Sequence, residues 1–370
     1  MKQLSKSMDD HELEPFDRQQ KKLSGTTLML SDKAHRYVYK IIPEYTTSEA
    51  AFYCVVNNKE LTVNSRSYTC LRETAKQPDE LARHKVLPQF EGLVKIVQQK
   101  HVAAQNEGAE GRSNNIRYYE VMENLDTSKN VFNAIKLENL LHGYQNPAVI
   151  DIKLGMHNTL DNVQQTGLSS AKRIACVKKW QKLKMTHQSR SIGTKRLYNI
   201  TATDLGLGEP FTSMAPRELH SLLKSWRQKM VAKQTTEDEL GFRICSICID
   251  SQDVPLEVSA VQAKLLKRDD TLDVLHKALA TVPAVRRCLI DTLVKVRDWV
   301  KLQDFLSFSA TSILITYDQA DPSKCKVKWV DFTHVESIKH SPYPVLPGPS
   351  SMLKGIDTLI GICESAENNM

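Results

Sequence analysis

Asp151 and Lys153 stand two positions apart in the run Asn146-Pro147-Ala148-Val149-Ile150-Asp151-Ile152-Lys153-Leu154-Gly155. A β-rich run points alternate side chains to one face, so the acid and the base project together while Ile150 and Ile152 fill the other side. Taken alone, the pair reads more readily as a surface ion pair on an edge strand, because exposed charges on strands are common. It gains meaning from other residues. Lys40 lies in the strand-like Val38-Tyr39-Lys40-Ile41-Ile42, Glu49 follows in a segment that opens a helix, and Asp331 ends the strand-like Trp329-Val330-Asp331. A nucleotide phosphotransferase needs a lysine on the α- and β-phosphates and a carboxylate to hold that lysine. It also needs a segment whose backbone meets adenine and an acid for Mg²⁺. Glu123-Asn124-Leu125, directly after a strand, stands where the adenine segment belongs. No one of these features is specific, but their order along the chain is the required one.

A second feature is a charge asymmetry. Residues 162–203 contain no Asp or Glu but nine cations: Lys172, Arg173, Lys178, Lys179, Lys182, Lys184, Arg190, Lys195 and Arg196. The whole chain is +7, so the remainder carries −2. Lys172, Lys179 and Lys182 recur at helical spacings of seven and three, with Lys178 beside them. A run without counter-charges repels itself unless an anion binds there, which favours an anion site over a solvated face. Nucleic acid and a small polyphosphate both qualify, and the only aromatic residues in the run are Trp180 and Tyr198.

The elements that must position these residues follow from the rest of the sequence. With 370 residues, 41% hydrophobic, the chain is long enough for about two domains or one two-lobed unit. No apolar stretch approaches the ~18–20 residues of a membrane span, and the first residues lack a secretory apolar block. A soluble protein of the cytoplasm, the nucleus or both is the expectation. The eight cysteines are expected to be reduced, and Cys245-Ser246-Ile247-Cys248 reads as part of a buried strand, not as half of a zinc site. The first ~20 residues read as a loose terminus. Strands are expected at 28–30 and 37–42, a helix from Thr47, and strands at 93–102 and 116–122. From there, helical segments alternate with isolated strands, beginning with a helix over 131–141. This places a lobe boundary near residue 125, giving a terminus over 1–22, one lobe over 23–125 and a second over 126–370, with the basic insertion at 156–240. Further helices are expected at 216–231 and 271–305, the latter broken at Pro283, and near 352–365. Strands are expected at 242–249, 312–317 and 327–330.

The run Pro147-Ala-Val-Ile-Asp151-Ile-Lys153-Leu-Gly155 matches P-x-x-x-D-x-K-x-G, and with it the sequence resembles the inositol polyphosphate kinase family. Weaker matches fall in the same order: Ser48-Glu49-Ala-Ala-Phe52-Tyr53, Leu87-Pro88-Gln-Phe90-Glu-Gly92, Leu240-Gly241-Phe242-Arg243, Ser312-Ile-Leu-Ile-Thr-Tyr317-Asp318, Asp331-Phe332-Thr-His334 and Gly355-Ile-Asp-Thr-Leu359-Ile360. Together they span about residues 24–365. The resemblance implies an α+β, two-lobed, protein-kinase-like ATP-grasp fold, with an antiparallel N-lobe sheet and an α+β C-lobe carrying an insertion for inositol phosphate. It implies ATP and Mg²⁺ as cofactors. By position, Lys40 meets the ATP phosphates with Glu49 as its partner, the backbone of Glu123 and Leu125 meets adenine, and Asp151 meets ribose. Lys153 reaches the transferred phosphate and the acceptor, Asp331 holds Mg²⁺, and Ser312 lies beside metal and phosphates. The substrate residues implied in the insertion are Lys172, Arg173, Lys179 and Lys182.

Within the family, Asp331-Phe-Thr-His334 is similar to the D-F-A-H of hexakisphosphate kinases and multikinases and unlike the D-F-G-K of trisphosphate 3-kinases. The stretch Gln234–Cys245 also resembles the hexakisphosphate kinases, while the ~85 residues from Gly155 to Leu240 are closer in length to a trisphosphate 3-kinase insertion. Two departures stand out. Gly25 is the only glycine of the nucleotide-covering loop, and no acid precedes the last helix near Ser350-Ser351. The implied activity is phosphorylation of inositol hexakisphosphate to a diphosphoinositol, with a multikinase or a trisphosphate kinase as alternatives. A catalytically weak scaffold for polyphosphate or nucleic acid is the reading from another class, and the joint presence of Lys40, Asp151, Lys153 and Asp331 argues against it. The partner expected is the inositol polyphosphate itself, with no specific nucleic acid.

Overall fold

The computed structural model describes residues 12–16, 28–42, 47–101, 115–121, 131–155, 167–188, 200–250, 255–340 and 350–368. Its first half is built on strands β1 (Glu12–Pro15), β2 (Met29–Asp32) and β3 (Tyr37–Ile42), helices α1 (Ser48–Val56), α2 (Arg66–Thr74) and α3 (Asp79–Arg83), and strands β4 (Phe90–His101), β5 (Asn115–Val121) and β6 (Val131–Glu138). The strands close an antiparallel barrel in the order β1-β2-β3-β6-β4-β5. Period-two alternation decides what fills it. Leu30, Tyr39, Ile96 and Ala134 point inward with Leu13, while Val38, Ile42, Ile135 and Leu137 face the larger core outside. Lys40 shares that outer face and so meets α1, whose Thr47 side chain accepts from the Ala50 N–H and caps the turn carrying Glu49.

Two expectations are corrected here. Residues 12–15 do not belong to a loose terminus: β1 pairs with β2 and β5 and closes the barrel, with Leu13 buried. A single apolar residue between Glu12 and Glu14 gives too little pattern to reveal so short a strand. Residues 131–138 form a strand, not a helix. Phe132 and Ala134 face the barrel interior and Ile135 and Leu137 the outer core, so both faces are apolar and the spacing fits helix and strand equally. β6 pairs with β3 and β4, so the barrel continues beyond residue 125.

The second half contains β7 (Pro147–Leu154), α4 (Ser170–Gln188), α5 (Ala202–Leu205), α6 (Pro216–Gln234), α7 (Glu237–Leu240), β8 (Phe242–Ile249), β9 (Leu256–Val258), α8 (Arg268–Leu279), α9 (Pro283–Lys301), β10 (Leu306–Phe308), β11 (Thr311–Asp318), β12 (Asp321–Val330), β13 (Val335–Ser337) and α10 (Ser350–Asn368). A five-stranded antiparallel sheet runs β12-β11-β7-β8-β9, so β7, with the acid–base pair, is its central strand. Asp318 ties the ends of this sheet together, its carboxylate accepting from the backbone N–H groups of Gln145 and Asn146 at 2.9 and 3.0 Å. Pro283 occupies the first turn of α9, where its missing N–H costs nothing, which explains the break between α8 and α9.

Two local features hold the site's surroundings. Gly241 adopts φ +75° at the C-terminus of α7, and a Cβ there would overlap the backbone of Gly355 in α10. The Gly155 N–H donates to the Gly241 carbonyl at 3.0 Å, so the end of β7, the start of β8 and α10 meet through three glycines. Residues 176–226 carry a separate apolar cluster: Cys176, Val177 and Trp180 of α4 pack on Leu219, Leu223 and Trp226 of α6.

Candidate active site

Four charged side chains from distant parts of the chain meet at one point. Lys40 Nζ donates to Glu49 Oε1 at 2.7 Å and to Asp331 Oδ1 at 2.5 Å. Lys153 Nζ lies 3.8 Å from Asp331 Oδ2 and donates to the Ala310 carbonyl at 2.7 Å. Burial alone would lower the Lys40 pKa, but Glu49 and Asp331 outweigh it and hold the ammonium above the ordinary lysine value. Burial would likewise raise Asp331, yet Lys40 and Lys153 hold it well below the usual carboxylate range. Asp331 is therefore an anion between two cations.

The sequence positions these groups through apolar anchors. Phe332, the residue after Asp331, stacks on Phe52 of α1 with ring centroids 4.2 Å apart, and Trp329 packs edge-on against both. The chain thus buries residues 329 and 332 against the helix that carries Glu49 and turns Asp331 outward between them. Asp331 takes φ +75°, a left-handed conformation that costs a non-glycine residue on the order of 1 kcal/mol and is met by the packing on either side. Ser312 lies directly across from Lys153 on β7 and Val330 on β12, so its hydroxyl shares their surface.

These groups line a cavity of about 610 Å³ between the barrel and the five-stranded sheet. Met29, Val38, Leu137, Leu140 and Leu314 are its apolar lining, and Asp151 is on its wall. Its cationic lining comes from Lys224 and Arg227 of α6, Arg243 of β8, and Lys264, with Glu237 of α7 among them. Arg243 donates to Glu237 at 2.9 Å. Among the described residues, Lys224 and Arg227 have no carboxylate within 4 Å. Burial, together with the charges of Lys184, Lys153 and Arg227, lowers the Lys224 pKa to about 8 against the pull of Asp331. Cys245 beside them is a neutral thiol, pushed up to about 12 by burial and by Asp151. Apolar side chains, an anion between two lysines and a wall with more cations than carboxylates to pair them form the surface expected for a base, a metal-bound phosphate chain and a polyanionic acceptor.

The family model described as inositol polyphosphate kinase matches residues 134–364 of this chain. The chain belongs to the inositol polyphosphate kinase family. It is a phosphotransferase acting on inositol phosphates, and the matched span contains Asp151, Lys153 and Asp331 but begins after Lys40 and Glu49. Two solved structures resemble this kinase. One is the inositol phosphate multikinase Ipk2 from S. cerevisiae in complex with ADP and Mn²⁺, 16% identical over 63% of this chain and 84% of that one, with a TM-score of 0.37. The other comes from structural studies and protein engineering of inositol phosphate multikinase, 17% identical over 62% and 84%, with a TM-score of 0.38. No curated protein matches the sequence.

The kinase brings Lys40, Glu49, Asp151, Lys153, Ser312 and Asp331 to one cavity. Glu123 and Leu125, expected at the adenine, lie outside the described residues. Lys172, Arg173, Lys179 and Lys182, expected on the substrate, lie on α4 and do not line the cavity. The reason is rotational: α4 turns Cys176, Val177 and Trp180 into its local core, which leaves Lys172, Lys179 and Lys182 on the exposed side. The cations that do line the cavity include Lys224 and Arg227, which sequence reading missed. Their signal was present, since 224, 227, 228 and 231 share one helical face opposite Leu219, Leu223 and Trp226. Among the described residues no three His, Cys, Asp or Glu side chains converge on a cation site, and none of the helices is long and apolar enough to cross a membrane.

Proposed function

We propose that this kinase uses ATP and Mg²⁺ to phosphorylate a highly phosphorylated inositol, with inositol hexakisphosphate the substrate and a diphosphoinositol the product. The observation that carries the reading is the position of Lys153, which stands between Asp331 and the cationic wall of the same cavity. The barrel and its helices act as the nucleotide lobe and the five-stranded sheet with its helices as the acceptor lobe, in the manner of a two-lobed kinase. Lys40, oriented by Glu49, takes the α- and β-phosphates. Asp151 takes the ribose, the Glu123 and Leu125 backbone the adenine, and Ser312 the phosphates.

Mg²⁺ fits the donor set. It usually binds through one or two carboxylates plus substrate phosphates, and Asp331 supplies a single anionic carboxylate facing the cavity. When bound, the ion neutralises phosphate charge. Lys153 is placed to follow the transferred phosphoryl group, and Lys224, Arg227, Arg243 and Lys264 hold the acceptor. Transfer onto a phosphate or hydroxyl held this way depends mainly on positioning and charge neutralisation.

Support for the hexakisphosphate assignment comes from the number of cations lining the cavity and from the Gln234–Cys245 stretch, while the Asp331-Phe-Thr-His334 pattern speaks against the trisphosphate 3-kinase type. Incubation of the protein with labelled ATP, Mg²⁺ and a panel of inositol phosphates tests it. Label is expected in diphosphoinositol. Transfer to inositol trisphosphate alone would assign the chain to the multikinase or trisphosphate kinase type, and transfer to no member would remove the kinase reading.

A further inference from the structure

Two thiols outside the cavity are brought together where α9 packs on β12. Alternate residues of β12 share a face, so Cys325 lies on the side of Val327 and Trp329, which are buried in the main core. On α9, Val285, Leu289, Thr292 and Val296 turn inward, and Cys288 stands at the edge of that face, one turn before Thr292. Both cysteines pack against the rim of the core, and both are free and half-buried. Distant in sequence, they meet side chain to side chain, the Cys288 thiol within hydrogen-bond reach of Cys325.

The surroundings leave these thiols outside the kinase chemistry. Neither lines the cavity. At about 3.3 Å per residue of extended chain, the interval from Cys325 to Asp331 is about 20 Å. Tyr144, in the connection from β6 to β7, is near enough for both thiols and Glu138 to act on its hydroxyl, which burial above all pushes up to about 12. The same connection begins with Asn139, Leu140 and Leu141, which do line the cavity. Burial, and then Cys288 beside it, push the Cys325 thiol up to about 12, so this sulfur is held protonated.

We propose that Cys288 and Cys325 form an oxidation site that closes to an intrachain disulfide when the chain meets a hydroperoxide. Cys288 attacks one peroxide oxygen: an S–O bond forms, the O–O bond breaks, and the departing hydroxide takes the proton of the Cys288 thiol to become water. Cys325 then attacks the sulfenic sulfur on Cys288. The S–S bond forms, the S–O bond breaks, and the Cys325 proton leaves with the hydroxide as a second water. The two thiols together lose two electrons, and the peroxide gains them. Cys325, held as a thiol, is the resolving partner. The new bond fastens the strand that ends at Asp331 to α9 and constrains the unfolded chain.

The site stands apart from the kinase reading, and so does its test. The reduced full chain is treated with a small excess of hydrogen peroxide, the remaining thiols are blocked with N-ethylmaleimide, and the peptides are mapped by mass spectrometry. One linked pair is expected, Cys288 to Cys325, reversed by dithiothreitol. The linked chain should unfold at a midpoint higher than the reduced chain by on the order of 5 °C. With dimedone present, Cys325→Ser should trap the sulfenic acid at Cys288, and its midpoint should not rise on oxidation. Phosphoryl transfer by the reduced variant should match wild type. The mapping reads the wild-type chain and so does not depend on a variant folding. Recovery of all eight cysteines as maleimide adducts after peroxide, or a link between another pair in preference, overturns the site. Dimedone on Cys325 in Cys288→Ser, with none on Cys288 in Cys325→Ser, overturns the order of attack. An unchanged midpoint in the linked wild-type chain overturns the fastening of α9 to β12.

Discussion

Lys40 Nζ and Asp331 Oδ1 lie 2.5 Å apart although 291 residues separate them in sequence. The contact joins the barrel to the end of β12, and Glu49 completes it from α1. The lysine that would meet nucleotide phosphates and the acid that would meet the metal therefore neutralise one another until those ligands arrive. Both are held charged by the arrangement, so neither has to change its protonation state to work.

Lys40→Met is expected to separate the two roles of this pair. Glu49 is 2% exposed, and without Lys40 it is a buried carboxyl lacking its ammonium partner, a loss that typically costs ~3–5 kcal/mol. Thermal unfolding should show a large drop in midpoint. The double variant Lys40→Met with Glu49→Gln removes the stranded charge and should recover most of that stability. Its kcat/KM should remain roughly a hundredfold low because the phosphate contact is still missing. Recovery of activity along with stability would mean that Lys40 is structural only.

Lys153→Ala is expected to leave the fold and ADP affinity near wild type, because this side chain is partly exposed and its one short hydrogen bond is to the Ala310 carbonyl. Turnover should fall by about a thousandfold or more, as when a group that stabilises the transition state alone is removed. Single-turnover transfer from labelled ATP checks this. Full activity in the variant would take Lys153 out of the chemistry.

Lys224 gives a pH dependence with a definite sign. A lysine with a pKa of about 8 in the folded chain and about 10.4 unfolded opposes folding in full below pH 8. That opposition fades as pH rises from 8 through 10.4, because the unfolded state binds the extra proton in that window. Lys224→Met should therefore be more stable than wild type at pH 7 by on the order of 2 kcal/mol, and the gap should close near pH 10.5. The same change should raise the acceptor KM while leaving the nucleotide KM unaltered. A lower midpoint for the variant at pH 7 would show that the ammonium is stabilising as it stands.

The contrast between α4 and α6 shows what the sequence makes legible. β3, β7 and β8 could be read from short β-branched runs, and the Pro283 break from proline's fixed φ. The common face of Asp151 and Lys153 followed from strand alternation, and both do line the cavity. The basic stripe of α4 is conspicuous because no acid interrupts it, yet its exposed lysines are not among the residues that line the cavity. Lys224 and Arg227 are inconspicuous, mixed with apolar neighbours, yet they form the wall. Charge density along a chain reports repulsion; which face of a helix meets a cavity is set by where Trp180 and Trp226 bury, a tertiary fact. β1 and β6 were missed for a related reason, since one isolated leucine and a segment apolar on both faces carry no usable period.

Gly355→Ala is expected to be among the most destabilising small substitutions available, although it lies in a helix where alanine is normally favoured. By propensity alone the change should stabilise the helix by roughly 0.5–1 kcal/mol. Here the added Cβ would overlap the carbonyl of Gly241, which is held by the N–H of Gly155 and cannot retreat without pulling on the end of β7. Separating α10 from β7 and β8 opens apolar contacts of Met352 and Ile356 with the main core, so a net loss of about 2–4 kcal/mol is expected. Because Lys153 lies two residues before Gly155, kcat should fall together with the thermal midpoint. Gly361→Ala, in the same helix with nothing within 4 Å of the new Cβ, is the control and should be neutral or slightly stabilising. Equal midpoints for the two variants would refute the three-glycine contact as a constraint on the site.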